Sequence, residues 1–141
     1  MVDKISKEAR SYNMSRIRSK DTKPEILVRK YLFSKGLRFR KNDKRYPGSP
    51  DIVLPKYKTI VFIHGCFWHL HEGCKYAVMP KSNVDFWKKK LYGNKERDKI
   101  IQKELEKMGW NVIIVWECEL KKEKCEQTLD NLYRQIKSNV Y

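Results

Sequence analysis

Apolar residues recur along the chain at two different spacings. Short runs rich in β-branched and aromatic residues are bounded by Gly, Pro and charged residues, which predicts β-strands. Longer segments carry apolar residues three and four positions apart, which predicts amphipathic helices. The predicted order is helix, three strands, helix, strand, helix, over residues 22–35, 37–41, 51–54, 59–65, 82–109, 110–118 and 123–141.

The first two helices carry signals for their ends. Thr22 followed by Glu25 matches a capping box, and Pro24 suits a first helical turn. Gly36 is typical of a residue that follows a helix. Gly93, inside the second helical segment, predicts a break that divides that helix in two.

The helix between the third and fourth strands predicts a crossover connection. An α/β fold follows, with a mixed sheet and helices on its faces. The sequence has no run of eighteen apolar residues, so we expect no segment that spans a membrane. The start of the chain also lacks the apolar region of a secretory signal. We expect a cytoplasmic protein with a basic arm at 1–20, holding a short helix near 13–18, and a single domain at 21–141.

The formal net charge is +15, and it is unevenly distributed. Residues 1–45 hold fifteen Lys and Arg against five Asp and Glu. A basic excess of this kind favours a polyanionic partner, because each phosphate contact releases a counterion. Solubility alone is the alternative explanation, but the clustering at one end favours nucleic acid.

All three histidines and two of the four cysteines lie in "VFIHGCFWHLHEGC", residues 61–74. Cys66, His71 and Cys74 offer three ligands from one segment, and Cys118, which ends the last predicted strand, offers a fourth. Such a set is typical of a closed structural zinc site. His69 also lies at ligand spacing, so spacing does not choose between it and His71. Ordinary buried cysteines and histidines are the alternative.

Asp51 heads a predicted strand whose hairpin partner carries His64. A carboxylate beside groups on a neighbouring strand can hold Mg²⁺, although Asp in a Gly/Pro turn is commonly only a turn former. His64 and His69 carry imidazoles suited to a general base or a phosphate partner.

Five segments together resemble one known family: "NMSRIRSKDTKPE", "PGSPDIV", "VFIHGCFWHLHEGC", "FWKKKLYGNKERD" and "GWNVIIVWEC". In this order they resemble the very-short-patch-repair mismatch endonucleases (Vsr) of bacteria, over residues 10–120. The resemblance implies a restriction-endonuclease-like fold of the PD-(D/E)xK superfamily. It also implies a monomeric enzyme that acts on double-stranded DNA of the nucleoid. This enzyme nicks 5′ of the mismatched T in T:G pairs, which arise when 5-methylcytosine made by a cytosine-5 methyltransferase deaminates.

The resemblance also implies roles for individual residues. Asp51 binds Mg²⁺ together with the backbone carbonyl of Ile63, a position where some members have Thr. His69 is the general base, Asp98 orients it, and His64 contacts the attacked phosphate. Glu25 matches an acidic position near the site. The implied zinc ligands are Cys66, His71, Cys74 and Cys118. The implied apolar wedge, which opens the duplex, consists of Phe67, Trp68, Trp87 and Met14. The basic residues that would hold the DNA backbone are Arg16, Arg18, Lys20 and 88–90.

Adjacent Phe67 and Trp68 support the wedge interpretation, because apolar rings inserted between base pairs unstack a step and bend the duplex. Core packing is the alternative for these rings, and we assign Trp110 and Trp116 to the core. Three rival functions remain open. They are a restriction-type nuclease, a zinc-stabilised DNA-binding module without catalysis, and a thiol redox protein, although no Cys-x-x-Cys pair is present.

Overall fold

The structure is a computed structural model that describes residues 22–139. The predicted basic arm, its short helix and Met14 lie outside these residues. The predicted order of elements is confirmed. The elements are α1 (Lys23–Ser34), β1 (Arg40–Lys41), β2 (Ile52–Leu54), β3 (Thr59–His64), α2 (Val84–Lys107), β4 (Asn111–Trp116) and α3 (Cys125–Ser138), with 3₁₀ turns at Pro55–Tyr57 and Glu117–Leu120.

The four strands form one mixed sheet in the order β1-β2-β3-β4. The β1–β2 and β2–β3 pairs are antiparallel. The β3–β4 pair is parallel, with Thr59 opposite Asn111 and His64 opposite Trp116. Parallel neighbours require a long crossover, which α2 provides, so the predicted crossover is confirmed.

Alternation along the strands divides the core between two faces of the sheet. Ile52 and Val61 pack on one face with α1 and α3. Val53 and Ile60 pack on the other face with Leu105 of α2 and with other buried residues. Successive side chains of a strand point to opposite faces, so His64, four residues after Ile60, faces the same side as α2.

The start of α1 differs from the prediction. Thr22 occupies the N-cap position in an extended conformation, but its side chain makes no capping hydrogen bond. Glu25 is buried, and its carboxylate lies 3.5 Å from the Arg29 guanidinium. The capping-box prediction is therefore wrong, because Glu25 turns into the protein instead of back to the helix end. Pro24 in the first turn is confirmed.

The second helix is not divided at Gly93. Helix α2 runs without interruption for 24 residues. Glycine lowers helix stability by about 1 kcal/mol but keeps its N–H, so the hydrogen-bond ladder continues through it. The prediction of a break is therefore wrong.

All four strands are shorter than predicted, β2 and β3 by one residue each and β1 and β4 by three. Strand β1 has two residues, and β4 ends at Trp116, so Cys118 lies in the following 3₁₀ turn and not on the strand. Within residues 22–139, no helix is both long and apolar enough to cross a membrane.

Candidate active site and metal-binding loop

A cleft of about 380 Å³ opens at one edge of the sheet, and we call it the catalytic cleft. Asp51 lies immediately before β2, and His64 ends β3. Because β2 and β3 are antiparallel, these two positions meet at the same edge. The ionisable residues that line the cleft are Glu25, Lys44, Asp51, His64, His69 and Asp98.

The Asp51 carboxylate is held against the backbone of the neighbouring strand. Its Oδ2 accepts a hydrogen bond from the N–H of Ile63 at 2.6 Å. Burial raises the pKa of Asp51 to about 7, although the Ile63 hydrogen bond opposes the shift and the nearby Glu25 carboxyl adds to it. A carboxyl with this pKa binds a proton or a cation near neutral pH.

Two stacked histidines and one aspartate lie together in the catalytic cleft. The rings of His64 and His69 are parallel within 4°, with centroids 3.8 Å apart. His69 Nδ1 lies 2.5 Å from Asp98 Oδ2, which α2 supplies. Burial lowers the pKa of His64 to about 4, and the neighbouring His69 lowers it further while Asp98 opposes the shift. His64 is therefore neutral at physiological pH.

Residues 65–83, between β3 and α2, have no helix or strand, and we call them the metal-binding loop. Ligand atoms of Cys66, His71 and Cys74 in this loop and of Cys118 all lie within 4.8 Å of one another. The Cys118 Sγ lies 3.4 Å from His71 Nδ1, and the Cys118 N–H donates to Cys66 Sγ at 3.4 Å. His69 is not in this group, because it faces His64 and Asp98 instead.

This arrangement fits a tetrahedral metal ion. Zinc–sulfur distances of about 2.3 Å and zinc–nitrogen distances of about 2.0 Å place ligand atoms roughly 3.5 Å apart in a tetrahedron. Three thiols that converge on one imidazole match the ligands that zinc prefers. Cys125, the fourth cysteine, lies at the start of α3 and packs against the larger core.

Aromatic side chains cluster where the metal-binding loop meets α2. The ring of Phe67 lies 5.1 Å from that of Trp68 and 5.5 Å from that of Trp87, between centroids. Asn94 on α2 donates a hydrogen bond to the Trp68 carbonyl at 3.0 Å. Phe86 extends the cluster, with its ring 5.2 Å from that of Trp87 and 60% of its surface exposed. We call these four rings the aromatic cluster.

Sequence reasoning did not single out Phe86. A signal was present, because the "FW" of Phe86 and Trp87 repeats the "FW" of Phe67 and Trp68. The structure brings the two pairs together, and all four rings are at least partly exposed.

Trp116 connects the two halves of the site. Its ring stacks on His71 at 4.0 Å and meets His64 edge-on at 5.2 Å. Trp110 is buried in the core, as predicted. Trp116 is only half-buried and packs between a candidate metal ligand and a cleft histidine, so its assignment to the core was incomplete.

One wall of the catalytic cleft is a segment to which the sequence analysis assigned no role. It consists of the segment 42–49, in which Asn42 and Ser49 adopt positive φ angles of 49° and 46°. Gly48 also has a positive φ, and a Cβ there would lie 2.7 Å from Ile101 Cγ2 of α2. This close approach requires glycine and ties the wall to α2.

Comparison with known proteins gives consistent results. The family model described as "DNA mismatch endonuclease Vsr" matches residues 2–75. A type II nicking enzyme, V.NmeAIP of Neisseria meningitidis, is 57% identical over 99% of this chain and 100% of its own length. The DNA mismatch endonuclease Vsr of Escherichia coli is 41% identical over 86% of this chain and 77% of its own. Type II nicking enzyme V.XorIIP of Xanthomonas oryzae is 48% identical over 85% and 88%.

The fold, the site and these relatives define the class of the protein: it is a DNA endonuclease. The chain belongs to the Vsr family of DNA mismatch endonucleases, as the resemblance of its motifs predicted.

Proposed function

We propose that this protein nicks double-stranded DNA 5′ of the mismatched T in T:G pairs left by deamination of 5-methylcytosine. The main support for this proposal is that His69, its partner Asp98, His64 and Asp51 converge in one cleft beside the aromatic cluster. The enzyme would act in very short patch repair and would accompany a DNA cytosine-5 methyltransferase. An asymmetric mismatch suits a monomer.

Proton transfer in this proposal centres on His69. Asp98 holds Nδ1 of the ring, which leaves Nε2 to accept a proton from the attacking water. A hydrogen bond from Nδ1–H to the carboxylate fixes the tautomer and increases the basicity at Nε2. Neutral His64, stacked on His69, can donate a hydrogen bond to the phosphate without repelling the imidazolium that forms.

The environment of Asp51 fits a hard cation. Its carboxylate is partly buried, and its raised pKa reflects a charge that burial disfavours. In an extended strand, the N–H and C=O of one residue point towards the same neighbour. Ile63 donates its N–H to Asp51, so its carbonyl faces the same side and would complete the site without a side-chain hydroxyl. Bound Mg²⁺ would stabilise charge that develops on the phosphate.

Zinc is the metal that we propose for Cys66, His71, Cys74 and Cys118. The four ligands leave no position open, so this ion would be structural. It would join the metal-binding loop to the turn after β4, and thereby fix the position of Phe67, Trp68 and His69 relative to the sheet. A metal that fixes catalytic geometry in advance contributes through preorganisation.

The aromatic cluster is the proposed wedge. Partly exposed rings on the loop and on the adjacent first turn of α2 can enter a base step, and a mismatched step costs less to unstack than a paired one. We propose that Met14 reaches the same step. Arg16, Arg18, Lys20 and the exposed lysines 88–90 would hold the phosphate backbone without reading sequence.

We also propose that the fold, with its mixed four-stranded sheet, is the restriction-endonuclease-like fold of the PD-(D/E)xK superfamily. An acidic residue before β2 and catalytic groups at the end of β3 support this assignment. The family name "type II nicking enzyme" among the relatives raises a second candidate, nicking of a specific site without a mismatch.

A nicking assay separates these functions. Duplexes that differ only in one pair, T:G or T:A, are incubated with the protein in the presence and absence of Mg²⁺. A magnesium-dependent nick 5′ of the mismatched T, absent from T:A, is the expected result. Equal cutting of both duplexes would replace the proposal with site-specific nicking, and binding without cutting would leave a DNA-binding module.

The assigned roles have their own test in the same assay. His69→Ala should lower the nicking rate by at least about 10²–10⁴-fold, because a general base contributes this much. Asp51→Ala should abolish magnesium-dependent nicking, because it removes the carboxylate that would hold the ion. Binding of the T:G duplex should stay within a few fold of wild type. An equal loss of binding and nicking would contradict both roles.

A further inference from the structure

A second concave surface lies on the far side of the metal-binding loop. Its volume is about 730 Å³, and we call it the lysine groove. Its basic residues and its aromatic residue are Lys75, Lys121, Lys122, Lys124 and Tyr76. Of the two acidic residues in its lining, Glu72 is already paired with Lys95 at 3.0 Å. The groove therefore presents a surplus of positive charge.

Tyr76 positions two of these lysines. The ammonium groups of Lys75 and Lys121 lie 5.2 Å and 5.1 Å from the centre of its ring. Tyr76 itself is 43% exposed. Cation–π contacts restrict the motion of long side chains, so less entropy is lost when these lysines bind an anion.

The lysine groove is continuous with the catalytic cleft. A concavity of about 600 Å³ lies between them. It shares His64, His69 and Asp98 with the cleft, and it shares His71 and Glu72 with the groove. A trough therefore runs from the proposed cleavage site, over the metal-binding loop, to the lysines.

The candidate metal ligands join the two walls of the groove. Lys75 follows Cys74 directly, and Lys121 lies three residues after Cys118. The ligand atoms of these two cysteines lie in the same cluster. A metal there would hold both lysine-bearing segments at a fixed separation.

We propose that the lysine groove binds the phosphates of DNA that flanks the cleaved bond on one side. This inference rests on the proposed nicking function. Point charges along a trough that begins at a nuclease cleft suit a polyphosphate backbone, which carries a regular row of anionic groups. The groove would add affinity without reading sequence, separately from the aromatic cluster.

The test compares two triple variants that lose the same charge. Lys75→Gln, Lys121→Gln and Lys122→Gln remove three of the four groove lysines. Lys30→Gln, Lys103→Gln and Lys107→Gln remove three exposed lysines outside the three concavities. Affinity for a T:G duplex is measured as a function of salt, and phosphate-ethylation interference maps the contacts. Metal content and far-UV circular dichroism show that each variant is folded.

For the groove variant we expect the log–log salt slope to fall by about 2–3 and the affinity near 150 mM salt to fall roughly 10- to 100-fold. The control should change the slope by less than about 1. Interference should disappear from phosphates on one side of the nick, while the single-turnover rate at saturating enzyme stays within about twofold, since no reacting group is touched.

Equal losses in the two variants, or no loss in either, would overturn the inference. Loss of binding to a poly-glutamate peptide with unchanged DNA binding would overturn it in favour of an acidic protein partner. Wild-type protein that binds DNA through the groove but does not nick it would contradict the proposed function and leave the groove standing. Wild-type protein that binds no DNA would overturn both.

Discussion

The catalytic cleft and the metal-binding loop adjoin each other, but different interactions hold their shapes. Asp51 and His64 stand at the ends of β2 and β3, where strand pairing and two packed cores fix the backbone. The metal-binding loop has no ladder, and its internal backbone bonds are single turns such as His71 N–H to Cys66 O at 3.0 Å. We expect the position of its side chains to depend on the cluster of four candidate ligands.

This difference shows how one site combines two kinds of support. Residues that must be shielded from water lie on the sheet, where burial shifts their pKa values. Phe67 and Trp68 lie on the loop, where they remain partly exposed and the cluster of four candidate metal ligands takes the place of a core. His69 belongs to both, because the loop carries it and Asp98 of the sheet-packed helix α2 holds it.

Removal of one ligand should produce the largest effect. We expect Cys118→Ala to lose the metal, to lower stability by ~2–5 kcal/mol as loss of a native cross-link does, and to abolish nicking. Far-UV circular dichroism should keep most of the helix and strand signal, because the sheet does not need the metal. Metal analysis, thermal unfolding and the nicking assay measure these outcomes.

Cys125→Ala is the matched control, because Cys125 lies outside the cluster. It should keep the metal and full activity and lose about 1 kcal/mol from a smaller core side chain. A Cys118→Ala protein with normal metal content and activity would show that the metal-binding loop keeps its structure without Cys118.

Loss of the contact between loop and helix should be the next largest effect. Asp98→Asn should lower kcat about 10- to 100-fold and leave the affinity for DNA unchanged, because Asn cannot fix the same tautomer of His69. Glu96→Gln, two residues earlier on α2 and exposed, should stay within about twofold of wild type. Equal rates for the two variants would place Asp98 among ordinary surface charges.

Two groups of the catalytic cleft, His64 and Asp51, should make the free energy of unfolding depend on pH in Mg²⁺-free buffer. The pKa of His64 is about 4 when folded, below about 6.5 when unfolded, so its contribution is full above pH 6.5 and is lost as pH falls towards 4. The pKa of Asp51 is about 7 when folded, above about 3.9 when unfolded, so its contribution is lost as pH rises from 4 to 7.

These opposite trends should partly cancel in the wild type and separate in variants. Relative to wild type, Asp51→Asn should gain stability as pH rises from 4 to 7, and His64→Phe should lose it, each by about 1–3 kcal/mol. Denaturant unfolding at several pH values measures both differences, in which the contributions of groups common to all three proteins cancel. Parallel pH curves for all three proteins would show that burial does not shift these groups.

Two glycine substitutions should have the smallest effects, of opposite sign. Gly48→Ala should destabilise by about 1–3 kcal/mol, because the left-handed backbone and Ile101 both oppose a Cβ. Gly93→Ala should stabilise by about 0.5–1 kcal/mol, because a Cβ there meets nothing within 4 Å and alanine favours the helix. Thermal unfolding compares them. A stable Gly48→Ala protein would show that the cleft wall is loosely packed.

Local signals were sufficient for much of the fold. The short runs rich in β-branched residues located β2, β3 and β4, and the long helical segment located α2. The errors at Thr22 and Gly93 have one cause: capping and break signals are local tendencies worth about 1 kcal/mol, and tertiary packing exceeds them. Burial of Glu25 beside Arg29 could not be foreseen, because it depends on where α1 docks.

The sequence by itself determined the order of elements, the basic character, the family, and the set of residues able to carry metal and proton chemistry. Spacing from Cys66 did not separate His69 from His71, and the family resemblance only implied their assignment, whereas the tertiary structure places them in different groups. The stack on His64 and the reach of Asp98 across 29 positions assigned one to the cleft, and the approach of Cys118 assigned the other to the cluster. Spacing along a chain limits which atoms can meet, whereas strand register and helix docking decide which atoms do.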